Sequence, residues 1–371
     1  MILPRYGDST LAELLSGVAA HLGVAPFDAD PLRLPSARRY VVIVIDGLGY
    51  QLVRRSISRA PYLAGLLGDA RQITAAVPST TVTSLTCLGT AAPPGRHGMV
   101  GWTARVPETG EILNHLFWES AVDPLTYQTL PTVFDRARAA GVAVSTVSLE
   151  RFAESGLTRA ALRGSDFHGF RNEGDLELRV RMVAAAARRG DRSLVYAYER
   201  RLDHAGHAHG VGSSDWTKAL AAADDFCSRL RDRLDDDVCM IITGDHGMID
   251  IPDDHRIVVE DDPQLDAGVS DLAGEGRFRQ VYVDHDRPEI VAARWRDRLG
   301  DLAWIRTRDE AIDEGWFGPV RDEVRERYGH VLVAMRDDWA VMTRRMEREM
   351  GLVGMHGSLT EAEMIVPLFL D

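Results

Sequence analysis

From Tyr40 to the end of the chain, short apolar runs alternate with stretches of helical periodicity. The runs read "YVVIVID", "QITAAVP", "VAVSTVSL", "SLVYAYE", "VCMIITG" and "EMIVPLFL". A run that is apolar at nearly every position is typical of a strand buried on both faces, as in sheets that are covered by helices on both sides. The pattern therefore predicts an α/β fold with a mostly parallel sheet flanked by helices.

Two segments depart from this alternation. Residues 1–39 contain one amphipathic stretch, "STLAELLSGVAAHLG", and then a proline-punctuated link, so they are predicted to form an extension packed on the core. Residues 251–355 carry short strand patterns of their own, "RFRQVYVD" and "HVLVAMR", around a helical stretch. We interpret them as a small inserted α+β cap, a substrate subdomain, with residues 40–250 and 356–371 forming the α/β core.

Composition and charge limit the partners of this fold. The formal net charge is −13, with 56 acidic and 43 basic residues, so the protein repels nucleic-acid polymers and anionic membranes. Three cysteines, Cys87, Cys227 and Cys239, show no CxxC spacing, which is typical of a reducing compartment. Neither a signal-like start nor a run of about 18 apolar residues occurs. We therefore expect a cytoplasmic protein without membrane insertion, and the sequence leaves its oligomeric state open.

Carboxylates and imidazoles recur at one predicted edge of the sheet. Six of them adjoin the apolar runs: Asp46, Asp203, His207, Asp245, His246 and His356. Each alone has an ordinary interpretation as a turn former, a helix cap or a loop residue, with Asp203 and His207 in one predicted loop. In doubly wound sheets, however, ligands bind outside the carboxyl ends of the strands. The joint occurrence therefore favours a site for two zinc ions, which accept imidazole and carboxylate ligands.

A cluster of hydroxyl groups begins at a second predicted strand end. The stretch "PSTT" occupies residues 78–81, after the run "QITAAV", and opens a predicted helix. Serine and threonine after proline ordinarily cap a helix. Beside two metal ions, a coordinated threonine hydroxyl loses its proton more readily and becomes a nucleophile. A helix N-terminus also favours an anion such as phosphate, so the cluster indicates phosphoryl chemistry.

These motifs together resemble those of the alkaline phosphatase superfamily, and most of all its nucleotide pyrophosphatase/phosphodiesterase (type I phosphodiesterase) family. The resemblance extends from Tyr40 to the C-terminus, apart from the predicted cap. It implies an alkaline-phosphatase-like core with a two-zinc centre, or a centre with other divalent ions. It also implies cleavage of phosphodiester or pyrophosphate bonds through a covalent phospho-threonine, with a small anionic phosphodiester or nucleotide-type compound as the substrate.

The resemblance also implies a role for each motif residue. The first zinc would be held by Asp203, His207 and His356. The second zinc would be held by Asp46, Asp245 and His246. The nucleophile would be Thr81, which would also contact the second zinc, and Thr80 would occupy the variable position of the motif.

Two positions differ from the family's usual pattern. The triplet "VTS" at residues 82–84 stands where the family usually has an aromatic-Pro-Asn triplet. Gly101 and Trp102 stand near the usual position of a phosphate-binding asparagine. Trp102 is therefore a candidate for a substrate contact, either stacking on a base or covering the phosphate.

Three alternatives stay open at this point. A phosphomonoesterase of the same superfamily would use an arginine where this chain has Val82. A phosphonate hydrolase would use a similar threonine centre. A non-catalytic zinc-binding protein is a further alternative, although structural zinc sites are usually closed and rich in cysteine.

Overall fold

Helices and strands alternate along the chain in the computed structural model, which describes residues 1–284 and 287–371. The strands are β1 (Arg39–Ile45), β2 (Arg71–Thr74), β3 (Thr103–Arg105), β4 (Ile112–Asn114), β5 (Ala143–Leu149), β6 (Asp166–Phe170), β7 (Ser193–Glu199), β8 (Val238–Thr243), β9 (Ile249–Asp250), β10 (Arg256–Val258), β11 (Asp271–Glu275), β12 (Phe278–Tyr282), β13 (Ala303–Thr307), β14 (Val331–Met335), β15 (Ala340–Met342), β16 (Gly354–Met355) and β17 (Ile365–Leu370). The α-helices are α1 (Ala12–His21), α2 (Tyr50–Arg55), α3 (Pro61–Leu66), α4 (Thr81–Thr90), α5 (Pro94–His97), α6 (Pro124–Tyr127), α7 (Val133–Ala139), α8 (Gly156–Ala161), α9 (Leu176–Ala187), α10 (Arg201–His209), α11 (Ser214–Arg231), α12 (Pro263–Asp266), α13 (Pro288–Leu299), α14 (Arg308–Asp313), α15 (Asp322–Arg325) and α16 (Glu361–Met364). Among the described residues, no helix combines the length and the apolar character that a membrane span needs.

The central sheet has seven strands in the order β2-β17-β8-β1-β7-β5-β6. Strand β1 pairs in parallel with β7 and β8, and β5 pairs in parallel with β6 and β7. Strand β17 is antiparallel to both of its neighbours, β8 and β2. The prediction of an α/β fold with a mostly parallel sheet is therefore confirmed, and the last strand is the one that runs the opposite way.

Strand β1 lies between two apolar cores. Val42 and Val44 face the side of α1 and α4, whereas Ile43 and Ile45 face the side of α9 and α11. All four side chains are fully buried. Successive residues of a strand point to opposite faces, and because both faces are covered here, the sequence of the strand is apolar throughout.

The N-terminal segment packs on the first of these cores. Helix α1 lies against α4 and α7, and its residues Leu14, Leu15 and Val18 are fully buried. Thr10 forms an isolated parallel bridge with Thr74 at the end of β2. These contacts hold the N-terminal segment against α4, α7 and the end of β2. The boundary of the extension at residue 39 stays a prediction.

A second, antiparallel sheet has four strands in the order β11-β12-β14-β13. Strands β12 and β14 lie in the two stretches whose sequence predicts strands, and α13 covers the predicted helix between them. Val281, Trp295 and Val333 share an apolar core that is separate from the two cores of the central sheet. The whole sheet falls within the predicted cap of residues 251–355, and the limits of that cap stay a prediction.

A buried ion pair joins the second sheet to the central one. Arg277 Nη2 lies 2.7 Å from Glu363 Oε2, and both side chains are inaccessible to solvent. The Ser358 N–H donates to Glu363 Oε1 at 3.0 Å, and the Thr360 hydroxyl donates to Oε2 at 2.5 Å. Because buried charges are tolerated only when they are paired and hydrogen-bonded, this arrangement fixes the β11–β12 turn against the segment that follows His356.

Candidate metal centre

The six predicted metal ligands lie at the carboxyl edge of the parallel strands. Asp46 directly follows β1, and Asp245 and His246 follow β8. His356 precedes β17, whose amino end lies at this edge because the strand is antiparallel to β8. The other two ligands follow β7.

Asp203 and His207 are on helix α10 and not in the loop that the sequence predicts. The glycine-containing stretch "LDHAGHAHG" has no strong helical pattern, and the helix is short. The four-residue spacing puts both side chains on one face of the helix. His207 Nε2 therefore lies 3.3 Å from Asp203 Oδ1.

The first group of ligand atoms joins Asp203, His207 and His356. The two imidazole Nε2 atoms are 3.3 Å apart, and His356 Nε2 lies 3.7 Å from Asp203 Oδ1. These atoms all lie within 4.8 Å of one another. The set of one carboxylate and two imidazoles is the set that the family resemblance implies for the first zinc, and it matches the ligand types of catalytic zinc sites.

The second group is formed by Asp46, Asp203 and His246, again within 4.8 Å of one another. His246 Nε2 lies 3.3 Å from Asp46 Oδ1. Asp245 is beside this group, with its Oδ2 3.7 Å from His246 Nε2. The geometry thus differs in two respects from the assignment that the family resemblance implies: the carboxylate of Asp203 is within reach of both groups, and Asp245 lies beside the second group and not in it.

All three imidazoles are oriented by their Nδ1 atoms. Each Nδ1 faces a backbone carbonyl: that of Gly354 for His207 (2.7 Å), that of Ser79 for His356 (2.9 Å) and that of Gly247 for His246 (2.9 Å). A carbonyl oxygen only accepts hydrogen bonds, so Nδ1 carries a proton and Nε2 is directed into the centre. Metal-binding histidines are usually held in this way.

Burial leaves several of these groups without a hydrogen-bond partner. Asp203 Oδ1 and Asp245 Oδ2 are buried and unpartnered among the described residues. Burial lowers the pKa values of His207 and His356, so both rings are neutral and their facing Nε2 atoms are both acceptors. An unpartnered buried carboxylate is costly. Both features fit a cation between these atoms, and the donor set fits zinc.

The carboxylates also change the protonation of the centre when no cation is bound. Burial, followed by the charge of Asp46, raises the pKa of Asp203 well above its usual range and that of Asp245 to about 7. Burial opposes protonation of His246, but the charges of Asp245 and Asp46 raise its pKa to about 10. In the metal-free protein, protons bound to Asp203 and His246 therefore offset the negative charge that a metal ion would otherwise neutralise.

Zinc binding is expected to release about one proton or more per chain at neutral pH. A ligand must be deprotonated to bind zinc, and the pKa of His246 is raised to about 10, so its extra proton has to leave. The apparent zinc affinity should consequently fall as the pH is lowered. Calorimetric titrations of the metal-free protein in buffers of different ionisation enthalpy measure the number of protons. Binding without proton release would contradict the protonation described here.

Thr81 is the first residue of α4 and faces the second group. Its Oγ1 lies 3.1 Å from His246 Nε2 and 3.4 Å from Asp46 Oδ1. Ser79, two residues earlier, is turned away, since its hydroxyl donates to the Ser358 carbonyl at 2.7 Å. Of these two hydroxyl groups of "PSTT", only that of Thr81 contacts candidate metal ligands.

A cavity of about 780 Å³ opens over this edge of the sheet. It is lined by Thr80, Thr81, Trp102 and all the candidate ligands except Asp245 and His246. Val82 is fully buried in the core on the α4 side and does not line the cavity. Trp102 is therefore a wall of the site, whereas Val82 offers no surface to a substrate.

Two further polar residues adjoin the centre and were not found from the sequence. Tyr198 at the end of β7 donates a hydrogen bond from its hydroxyl to Asp46 Oδ2. Glu275 on β11 accepts the Trp102 N–H at 3.1 Å through Oε2, and its buried Oε1 has no partner among the described residues. The hydroxyl group of Tyr198 in an otherwise apolar strand was only a weak indication in the sequence that this residue adjoins the site. Glu275 gave none, because its place depends on how the second sheet packs.

Comparison with protein families gives one match over most of the chain. The model of the family described as type I phosphodiesterase / nucleotide pyrophosphatase matches residues 40–359. Among curated proteins, the human and mouse catalytic subunits of GPI ethanolamine phosphate transferase 3 are each 34% identical to this chain over 59 residues. That match spans 16% of this chain and only 5% of either relative.

Solved structures resemble the fold over nearly its whole length. Murine ectonucleotide pyrophosphatase / phosphodiesterase 5 is 17% identical to this chain with a TM-score of 0.70. The match covers 89% of this chain and 87% of the murine chain. An inactive threonine-to-alanine form of that murine protein, in complex with AMP, has a TM-score of 0.69 and 16% identity, with the same coverage. Phosphonoacetate hydrolase from Sinorhizobium meliloti, in complex with phosphonoformate, has a TM-score of 0.66 and 20% identity, covering 91% of each chain.

Proposed function

The chain belongs to the type I phosphodiesterase / nucleotide pyrophosphatase family, and on that premise we propose that it hydrolyses phosphodiester or pyrophosphate bonds through a covalent phospho-threonine on Thr81. The observation that carries the proposal is the position of the Thr81 hydroxyl beside Asp46 and His246, which belong to one of two adjacent candidate metal-binding groups. The inactive threonine variant of the murine relative is consistent with such a role for a threonine.

The proposed cofactors are two zinc ions at the two groups of ligands. When bound, they supply positive charge that lowers the pKa of a coordinated hydroxyl and stabilises negative charge on the phosphoryl oxygens. Asp203 contributes to both groups, and the Nδ1 hydrogen bonds of the three histidines keep their Nε2 atoms directed at the ions. Tyr198 holds the carboxylate of Asp46 in place from the other side.

Two displacements at phosphorus complete the proposed reaction. The Thr81 Oγ1 attacks phosphorus, its proton passes to solvent, and the bond to the leaving oxygen breaks. The start of α4, where Thr81 is the first residue, favours the anionic group that is attacked. Water then attacks the phospho-threonine, and cleavage of the Oγ1–phosphorus bond restores the Thr81 hydroxyl. Two inversions give net retention of configuration at phosphorus.

A reducing compartment stays part of the proposal. The three cysteines are all buried and free of disulfide bonds. Free thiols are usual in compartments that keep cysteine reduced. This property supports a cytoplasmic protein.

Diesters are expected to be better substrates than monoesters by at least about 100-fold in kcat/KM, or roughly 2.7 kcal/mol of transition-state stabilisation. A monoester carries a second negative charge, and monoesterases of the superfamily place an arginine where this chain has the buried Val82. A diester instead carries a second substituent, for which Trp102 and the cavity offer a surface. Bis(nitrophenyl) phosphate and nitrophenyl phosphate are to be compared at one pH and one zinc concentration.

The outcome also separates the alternatives. Equal or reversed efficiencies would favour a monoesterase, with arginines of the cavity neutralising the second charge. Turnover of a phosphonate such as phosphonoacetate, without turnover of diesters, would favour a phosphonate hydrolase. Zinc binding without any turnover would favour the non-catalytic alternative.

Glu275 is expected to hold a phosphoryl oxygen as a hydrogen-bond donor. Burial, with a smaller contribution from the charge of Glu349, raises the pKa of Glu275 to about 8. The Trp102 N–H, Arg279 and His246 lower this pKa but do not offset burial, so the carboxyl is protonated at neutral pH. Its free Oε1 lies in a residue that lines the cavity. Glu275→Gln keeps a donor and should retain kcat/KM within about threefold, whereas Glu275→Ala should lose about 30-fold.

The pH profile is the readout that a purely structural role would not change. Because the protonated form of Glu275 is the donor, activity should be complete below the raised pKa and should fall as the pH rises through about 8. The Glu275→Gln variant should not show this alkaline fall. An equal loss in the glutamine and alanine variants would mean that the charged carboxylate, and not a donor, is needed.

A further inference from the structure

Part of the wall of the cavity over Thr81 is apolar, and we call the space along this wall the apolar chamber. We define the apolar chamber by Leu85, Phe152, Leu157, Leu162, Phe167 and Tyr196, all of which line the cavity. Four of these residues, Leu85, Leu157, Leu162 and Tyr196, belong to the apolar core on the α4 side of the central sheet. The chamber therefore extends into the body of the protein.

The chamber is continuous with the reacting atoms. The same cavity is lined by Thr81, Asp203 and His356, so its volume of about 780 Å³ includes the space above the nucleophile. At roughly 30 Å³ for each water-sized or methylene-sized group, the cavity holds on the order of 25 such groups. A phosphoryl group with two small substituents would leave most of this space unfilled.

The hydroxyl groups of the chamber wall are mostly satisfied within the protein. Thr146 is hydrogen-bonded to Ser165 at 2.7 Å, and Tyr198 donates to Asp46. A nucleobase carries several donors and acceptors, and most of them would lose their water partners here without replacement. The Tyr196 hydroxyl is buried and has no partner among the described residues, and the Ser148 hydroxyl, which also lines the cavity, makes no hydrogen bond with them. These two hydroxyl groups can serve only a few polar atoms of an otherwise apolar group.

The rim of the cavity is apolar and cationic. Leu116 and Phe117 line it and are among the few large apolar side chains that are exposed, at 40% and 51%. Arg348 lies over the Phe117 ring, with 4.1 Å from its Cζ to the ring centroid. Arg151 and Glu154 also line the cavity, as does Arg200, which is paired with Glu173 at 2.9 Å. An apolar rim with positive charge suits a substrate that has an anionic head and an apolar chain.

We propose that the chamber binds an aliphatic chain, so that the preferred substrates are phosphodiesters or pyrophosphates with one long alkyl or acyl substituent. The reacting phosphorus would lie at Thr81, and the chain would extend along Leu85, Leu157 and Leu162. The inference rests on the proposed function for the position of the phosphoryl group. The evidence for chain binding is the apolar wall and the volume of the cavity, and neither depends on the proposed hydrolysis.

The test is a series of nitrophenyl alkyl phosphates, from methyl to dodecyl, assayed below their micelle concentrations. Because each buried methylene contributes about 0.8 kcal/mol to binding, kcat/KM should rise about fourfold per methylene until the chamber is full. The octyl ester should also exceed the nitrophenyl ester of thymidine phosphate. A series without dependence on chain length, or a nucleoside ester as the best substrate, would overturn the proposal.

A chamber-filling variant localises the effect. Ser148 on β5 lines the cavity and is 3% exposed, so Ser148→Phe places a ring in the chamber. The ratio of kcat/KM for the octyl ester over the methyl ester should fall at least about 30-fold. The matched control is Ser58→Phe, the same substitution at an exposed position outside the cavity, which should leave that ratio unchanged. An unchanged ratio in Ser148→Phe would contradict the proposed location.

A binding measurement separates this inference from the proposed function. Decyl methyl phosphate is titrated calorimetrically into zinc-loaded Thr81→Ala protein and into its Ser148→Phe derivative. Burial of the chain predicts a negative heat-capacity change that is lost in the double variant. Chain binding without hydrolysis of any diester by the wild type would refute the proposed function alone. Hydrolysis without chain binding would refute the chamber alone.

Discussion

Replacing Thr81 by alanine is expected to lower kcat for bis(nitrophenyl) phosphate by about four orders of magnitude, equivalent to roughly 5.4 kcal/mol. The substitution removes Oγ1, the atom that forms the bond to phosphorus in the proposed reaction. Zinc content should change little, because the carboxylates and imidazoles of both groups remain. Steady-state kinetics and elemental analysis of the same preparations measure both quantities.

Thr80→Ala and Ser79→Ala are the matched controls for this variant. Thr80 is the N-cap residue of α4 but makes no side-chain capping hydrogen bond, so its loss should cost about tenfold or less. Ser79 donates to Ser358 and is expected to affect stability more than the chemical step. Phosphate trapped on the enzyme should be found on Thr81. Its recovery on Ser79 or Thr80 would show that the alignment of "PSTT" is wrong.

Asp203→Ala is expected to remove both zinc ions and to lower activity by at least about 1000-fold. Its carboxylate is the one that lies within reach of both groups. His207→Ala changes only the first group, so it should retain about one zinc per chain. Elemental analysis therefore distinguishes a shared ligand from an unshared one, and equal zinc contents in the two variants would contradict the shared position. Asp215→Ala, at an exposed aspartate of α11, should retain both ions and full activity.

The Asp203→Ala substitution should lower the Tm of the protein only when zinc is present. Without metal, Asp203 Oδ1 is buried and unpartnered, so its removal should leave the Tm of the metal-free protein unchanged or raised. With excess zinc, the Tm of the wild type should rise by mass action, and that of the variant should not. A large loss of Tm in the metal-free variant would indicate a structural role.

The parallel sheet explains why most of the site could be predicted. A strand such as β1 is covered on both faces, and its sequence is apolar at nearly every position, so its end at Asp46 is visible in the sequence. Since the carboxyl ends of parallel strands meet at one edge, the residues after β1, β7 and β8 had to lie close together. His356 joins them because β17 runs the opposite way, a detail that pairing determines and sequence pattern does not.

The remaining features depend on contacts between distant parts of the chain. The hydrogen bond between the Trp102 N–H and Glu275 joins residues 173 positions apart, and no periodicity in either segment reports it. The helix that carries Asp203 and His207 is short and contains a glycine, so its pattern was weak. The apolar chamber is a space between elements. The residues of its walls are apolar like those of any core, and the incomplete packing between them has no signature in the sequence.

The ion pair between Arg277 and Glu363 bears on whether the chain is modular. Residues 251–355 carry a sheet and an apolar core of their own, but Phe278 and Leu332 also share a second core with Val77 and Val100, which lie outside this segment. Removing residues 251–355 would deprive Glu363 of its cation, and losing one partner of a buried pair costs about 3–5 kcal/mol where the other stays buried. The same carboxylate accepts a hydrogen bond from the Ser358 N–H, two residues after the candidate metal ligand His356. The two sheets should therefore unfold in one cooperative transition, and a shortened chain that lacks the second sheet should lose the shape of the site together with its stability.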